Sequence, residues 1–505
     1  MYASIKRLCQ QNRAYIWSAL GLTAVSFTIF KLIYPYPNMV LDSYYYILAA
    51  ISKADANAWA IGYSWFIRFV GIFTHSPLLF VIAQYFLLQS SLLVFWLTFT
   101  KFFTLSKPAK RMLFLLLFAN PIFLYTANFV MADTLFISLS VLWISMLLWM
   151  VIRPNVYLLW AHALLILLVF SVRYNALYYP FVAAVVLIIS KYSLRQKVLG
   201  VILQFAVIGA FIGYTSFRVG QLSGQPQFSP FGNWKTANDA LYMYGHIYQD
   251  SKDSVPAKFA VLDMSVRQGF KVDKKVDDLL DYTSPFYGSI YMFYYSSGLV
   301  QYKNLLYGQD TEFVNFQKMA RVGPLYGQYG SYLIRKYPLA FLHYFVAPNA
   351  CRYIFPPLEA YGSLPPFFLR PDYLGQAAKT WFGVKTLTPS SSAIRLRGYL
   401  LPLYQTLAAF VHLLFLINLI GFGVMNGFRS LSRNEGTGLL VLVTFWLFDL
   451  AFSLTAAATV MRYEIFPLII ESSIVIWLTE RIYFSSKPIT VLSHLTDAPG
   501  DRSPA

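Results

Sequence analysis

The chain is broken into continuous apolar runs about twenty residues long, and no other feature narrows its possible folds so far. A run of that length crosses the hydrocarbon core of a bilayer as a helix, which satisfies its own backbone N–H and C=O groups. The runs do not alternate apolar with polar residues, as strands of a transmembrane barrel would. Charged residues make up only 12% of the 505 positions, roughly half the share of a soluble domain. Aromatic residues reach 18%, which suits the interfacial belts of a bilayer protein. The sequence therefore predicts an all-α polytopic membrane protein with about ten transmembrane helices, a large outer loop and membrane-surface helices.

The basic residues set the orientation. The net charge is +18, but many of these residues lie in short segments between apolar runs, where they mark cytoplasmic ends. Nucleic acid is not an expected partner; the lipid bilayer is. Lys6, Arg7 and Arg13 precede the first run, residues 15–34, which reads as a retained helix without a small-residue cleavage site. Further spans are expected at 77–100, up to 126 with a break at Asn120-Pro121, up to 152, 156–170, up to 191, and 198–217. The last three are expected at 399–424, 438–455 and 463–478. Lys101, Lys107, Lys110, Arg111, Arg153, Lys191, Arg195, Lys197, Arg429, Arg433, Arg481 and Lys487 all fall on one side. This gives a multi-pass protein of the inner or plasma membrane with both termini cytoplasmic. Its parts are an N-terminal module (1–217, with a first outer loop at 35–76), a large outer segment (218–397), C-terminal spans (398–484) and a polar, disordered cytoplasmic tail (485–505).

Charged groups at the outer ends of apolar runs need a reason, because the bilayer boundary penalises them unless they meet water, a partner or a ligand. Asp42 follows the first run, and Asp133 stands at the start of a later one. Each has a plain reading as a helix cap and a functional one as a carboxylate facing a wet pocket. Arg173 and Arg462 oppose the charge bias of the outer side. Either they pair with Asp133, Asp449 or Glu464, or they meet an anion such as phosphate, which a guanidinium binds bidentately. In the first outer loop, Ile47, Leu48, Ile51, Ala54 and Ala58 recur at helical spacing, predicting one or two surface helices. The stretch from Tyr329 to Phe345 predicts an amphipathic helix, Pro338, and an apolar helix of about ten residues.

Other chemistry has little support. Cys9 and Cys351 are the only cysteines and fall on opposite sides of the predicted topology. No HExxH, GxSxG or Walker A sequence is present, which argues against a membrane protease, a lipase-like hydrolase and an ATP-driven pump. His246 and His343 are isolated. The absence of an internal repeat weighs against a secondary transporter.

The order of four marks resembles the polyprenol-dependent C-type (GT-C) glycosyltransferases, the bacterial relatives of protein O-mannosyltransferases and aminoarabinose transferases. These marks are Asp42-Ser-Tyr-Tyr-Tyr46 after the first span, Asn120-Pro121 followed by Asp133-Thr-Leu-Phe136, Arg173-Tyr-Asn-Ala-Leu-Tyr-Tyr-Pro180, and Arg462-Tyr463 with Pro467 at the last span. The chain departs from the family where many relatives carry a second acid: Ser43 follows Asp42. The loop also shows no clear ligand set for a divalent metal, and no other cofactor is indicated. The resemblance implies a GT-C-like fold and an inverting transfer from a polyprenyl-phosphate sugar donor to a glycan, lipid or protein acceptor. It implies catalytic roles for Asp42, as general base, and Asp133, and donor phosphate binding by Arg462, Arg173 and Tyr463. Three other readings compete. A lipid-linked oligosaccharide polymerase or ligase would rely on Arg321, Arg335 and His343. A transporter or flippase would rely on Asp449 and Glu471. A non-catalytic assembly protein would use Asp42 and Asp133 as plain caps.

Overall fold

The computed structural model describes residues 2–249, 255–272, 291–309, 315–358, 371–384 and 391–486. Among them the secondary structure is helical, with an isolated bridge between Asn38 and Phe129 in place of strands. Seven helices are long and apolar enough to cross a bilayer: Arg13–Ile33, Pro77–Phe102, Lys107–Ala127, Ala132–Ile152, Leu194–Ser223, Gly398–Val424 and Arg433–Ala456. This is the architecture of a polytopic membrane protein. Val156–Val172 and Tyr174–Ile189 are apolar but shorter. Met461–Ser486 is long, but Arg462, Glu464, Glu471, Glu480 and Arg481 dilute its apolar run.

Local sequence explains where the helices begin. Ser193 with Gln196, and Ser432 with Glu435, form reciprocal capping boxes. Ser76 and Ser106 accept the N–H groups of Leu79 and Ala109, each with a proline in the following first turn. At Asn120-Pro121 the helix Lys107–Phe118 stops and a short helix, Pro121–Ala127, restarts with the Asn120 side chain as its cap.

Ala132–Ile152 is the central helix. Its apolar window is 72% buried, against 11% for the peripheral Arg13–Ile33. At one end of the bundle the loops are fastened by carboxylates. Thr104 N–H donates to Glu435 (3.2 Å), Ser106 N–H donates to Glu480 (2.9 Å), and Arg481 pairs with Glu435. At the other end two further cores form. Leu41–Ile51, Gly62–Gly71 and Pro371–Phe382 share one with Val172 and Phe80. The long central segment builds the second from Pro230–Ile247, Ala260–Val272, Gly298–Tyr307 and Asn315–Lys336. Its two longest helices approach closely because Gly330 has no side chain: a Cβ there would lie 2.5 Å from the Thr236 carbonyl oxygen.

The structure moves several expected boundaries. The helix predicted at 198–217 runs from Leu194 to Ser223, and the one predicted from 399 begins at Ser391, so neither edge of the central segment is a break in the chain. The helix predicted at 463–478 runs from Met461 to Ser486, and the expected tail beyond it lies outside the described residues. After Pro338 the helix is longer than ten residues. Pro338–Phe341, a π-wound stretch Leu342–Val346 and Ala347–Ile354 follow without interruption. The widened turn precedes Pro348, which lacks the N–H of a regular turn.

Candidate functional site

A cavity of about 730 Å3 opens where the first interspan loop, the central segment and the last helix meet, and Asp42, Asp133, Arg173, Arg462 and Tyr463 all line it. Five residues scattered over four hundred positions therefore share one chamber.

A polar network fixes the floor. Asn38 N–H donates to the Asn128 carbonyl (2.8 Å), and Val130 N–H donates back to Asn38 (3.0 Å). Lys31 donates to the Asn128 side chain (2.8 Å), which in turn donates to the Tyr36 carbonyl (3.1 Å). Buried Gln84 donates to the carbonyls of Ala127 and Phe129, both at 3.1 Å, and accepts from Tyr63 (2.7 Å). Buried polar groups left unpaired are costly, so this network holds the residues before Asp42 against those before Asp133.

Neither acid is a cap. The helix Leu41–Ile51 starts at Val40, whose N–H is accepted by Ser43 Oγ (3.0 Å). Asp42 stands in the first turn of that helix. Asp133 is likewise in the first turn of Ala132–Ile152, where the helix dipole favours a carboxylate. Its side chain pairs with Arg173 Nη1. Arg462 Nη1 stands 3.2 Å from Asp42 Oδ2 and 3.8 Å from Asp133 Oδ2. Its Nη2 donates to Tyr463 Oη (3.1 Å). The Tyr463 ring lies 4.6 Å from the Arg173 guanidinium and 4.9 Å from that of Arg462, fixing both by cation–π contact. The charges thus alternate: Asp42, Arg462, Asp133, Arg173.

Of the two readings of Arg173 and Arg462, the ion-paired one is realised at both. The phosphate reading requires an anion to compete for guanidinium groups that already have partners. Asp133 is 3% exposed and within reach of two guanidiniums. Asp42 is 23% exposed and faces the cavity beside one guanidinium. Tyr46 also lines the chamber. Burial, reinforced by the charge of Asp42, pushes its phenol pKa up, so it stays protonated.

Sequence reasoning missed the opposite wall. There the helix Pro230–Ile247 contributes Lys235 and Asp239, 3.2 Å apart, beside Asn233 and Thr236. Burial raises the Asp239 carboxyl to about 6, with Lys235 opposing the shift. A ladder of rings joins this wall to the first loop: Tyr45 to Trp59 (4.3 Å), Trp59 to Phe231 (5.4 Å) and Phe231 to Phe293 (6.3 Å). The i, i+4 Lys–Asp spacing was visible in the sequence but is common on solvated helices.

The residues of the competing functions sit elsewhere. Arg335 lines a separate groove with Lys258 and Lys336. Arg321 stands over the Tyr307 ring, and His343 packs edge-on against Tyr344, on which His246 also stacks. Asp449 accepts from Tyr178 (2.7 Å) and Tyr353 (3.2 Å), and Glu471 lies 2.7 Å from His412. These contacts tie helices together. Among the described residues no three His, Cys, Asp or Glu side chains group to hold a metal. Arg462 stands between Asp42 and Asp133, so this donor set does not fit a divalent cation.

Comparison with protein families, curated proteins and solved structures finds no match for this chain.

Proposed function

We propose that the chain is a membrane glycosyltransferase of the GT-C kind. It moves a sugar from a polyprenyl-phosphate donor to an acceptor at the outer face of the inner or plasma membrane, with about ten spans and both termini cytoplasmic. The convergence of Asp42, Asp133, Arg173, Arg462 and Tyr463 on one cavity carries this reading.

The residues divide the work by exposure and charge. The donor phosphate sits against Arg462 and Arg173, whose guanidiniums offset the charge that grows on the leaving oxygen. The acceptor hydroxyl gives its proton to Asp42 as its oxygen bonds to the anomeric carbon. The bond from that carbon to the phosphate oxygen breaks, and its electron pair leaves with the phosphate. One displacement inverts the anomeric centre. Asp133 holds the arginines in place, and Tyr463 keeps their planes fixed. No step is assigned to a metal.

The competing reading as a polymerase or ligase is less well supported, because Arg321, Arg335 and His343 do not line this cavity. The test is transfer from radiolabelled undecaprenyl-phosphate sugars by the chain in nanodiscs. Asp42→Asn keeps the shape but cannot take the proton, and should lower turnover about 10²–10⁴-fold. Near-normal turnover in that variant, with loss in Arg335→Ala or His343→Ala, would move the chemistry to the outer segment.

A further inference from the structure

Building on the transferase reading, we propose that the phosphate of the incoming donor releases the base: a phosphate ester entering between Arg462 and Arg173 takes Arg462 away from Asp42, and only then is Asp42 available to accept a proton.

Asp42, Asp133 and the Tyr463 hydroxyl all crowd one guanidinium. Arg462 faces Asp42 at 3.2 Å, Asp133 at 3.8 Å and the Tyr463 hydroxyl at 3.1 Å. A phosphate that binds Nη1 and Nη2 of Arg462 together, the bidentate mode a guanidinium favours, meets the contacts those two nitrogens already make with Asp42 and Tyr463. Asp133 is a poor one to lose: it is 3% exposed and also holds Arg173. A carboxylate stripped of its partner in so dry a place is strongly penalised. Asp42 is the one to lose. It is 23% exposed and faces the cavity, where water rehydrates it when the arginine turns away. The Tyr463 ring, under both guanidiniums, is the surface on which Arg462 swings from one anion to the other. The base is thus masked in the empty site and unmasked when a leaving group is present, so no proton acceptor stands ready without a donor.

This makes a prediction opposite to that for an ordinary binding residue. Asp42 competes with the ligand, so removing its charge should strengthen phosphate binding. Farnesyl phosphate, farnesol and inorganic phosphate are titrated by calorimetry into the chain in nanodiscs. Asp42→Asn should bind farnesyl phosphate on the order of tenfold more tightly than wild type. Asp239→Asn removes a carboxylate from the same cavity that does not contact Arg462, and should change affinity by less than about threefold. Arg462→Ala should lose the preference for farnesyl phosphate over farnesol. If wild type shows no such preference, the phosphate site itself fails, and the release mechanism with it. If wild type prefers the phosphate through Arg462 but Asp42→Asn binds no tighter, or Asp239→Asn tightens binding equally, the release mechanism alone is overturned. Inorganic phosphate showing the same tightening would sustain the release, with free phosphate as a sufficient trigger.

Discussion

Replacing Arg173 with Met should expose how much of this site is held by charge. The change keeps an unbranched side chain of similar reach but leaves Asp133, only 3% exposed, without its nearest partner. Removing one member of a buried pair costs about 3–5 kcal/mol, because the other charge stays buried. Arg462 Nη1 remains 3.8 Å from Asp133 and offsets part of that loss. The expected cost is therefore at the low end, about 3 kcal/mol. The double variant Arg173→Met/Asp133→Asn removes the stranded charge as well. It should return to within about 1 kcal/mol of wild type, since neutral replacement of a buried pair is often close to neutral. Denaturant unfolding of wild type, single and double variants in mixed micelles reads the three values. A single variant that costs less than about 1 kcal/mol, or a double no better than the single, would refute the claim that Asp133 depends on Arg173.

Two other consequences are independent of catalysis. Gly62 packs against the turn leading to Arg173: a Cβ there would lie 2.4 Å from Ser171 Oγ and 2.6 Å from its carbonyl carbon and oxygen. Gly62→Ala should therefore cost about 1–3 kcal/mol by overpacking, measured by the same unfolding assay. The Asp239 carboxyl titrates at about 6 when folded, against an ordinary 3.8, chiefly because of burial. The folded chain holds that proton more tightly than the unfolded one. Stability should then fall as pH rises from about 4 through about 6, and Asp239→Asn should lack that part of the slope in unfolding measured across the window.

Seven of the ten expected spans were legible because a bilayer demands long apolar helices and the sequence supplies them there. Asn120-Pro121 was legible for the same local reason: a proline cannot continue the helix before it. Asp42, Asp133, Arg173 and Arg462 stood out because charge at an apolar boundary is rare and costly. Which charge meets which was not legible, since Arg173 lies forty positions from Asp133 and Arg462 pairs across the whole chain. Gln84 and Asn128 were invisible: one amide in an apolar run raises no alarm, and its value lies in the carbonyls it meets. Lys235 and Asp239 sit in a polar stretch where such a pair is ordinary, and only burial in the cavity wall distinguishes them. The helix beyond Pro338 is longer than expected because the π-wound turn carries the chain past Pro348.

The central claim is that this cavity receives the phosphate of a lipid-linked donor. The most direct measurement is an electron cryomicroscopy map of the chain in nanodiscs with undecaprenyl phosphate. The account predicts phosphate density in the cavity against Arg462 and Arg173, with the Asp42 carboxylate turned away from Arg462. Phosphate density in the groove of Lys258 and Arg335, with Asp42 still paired to Arg462, would contradict it.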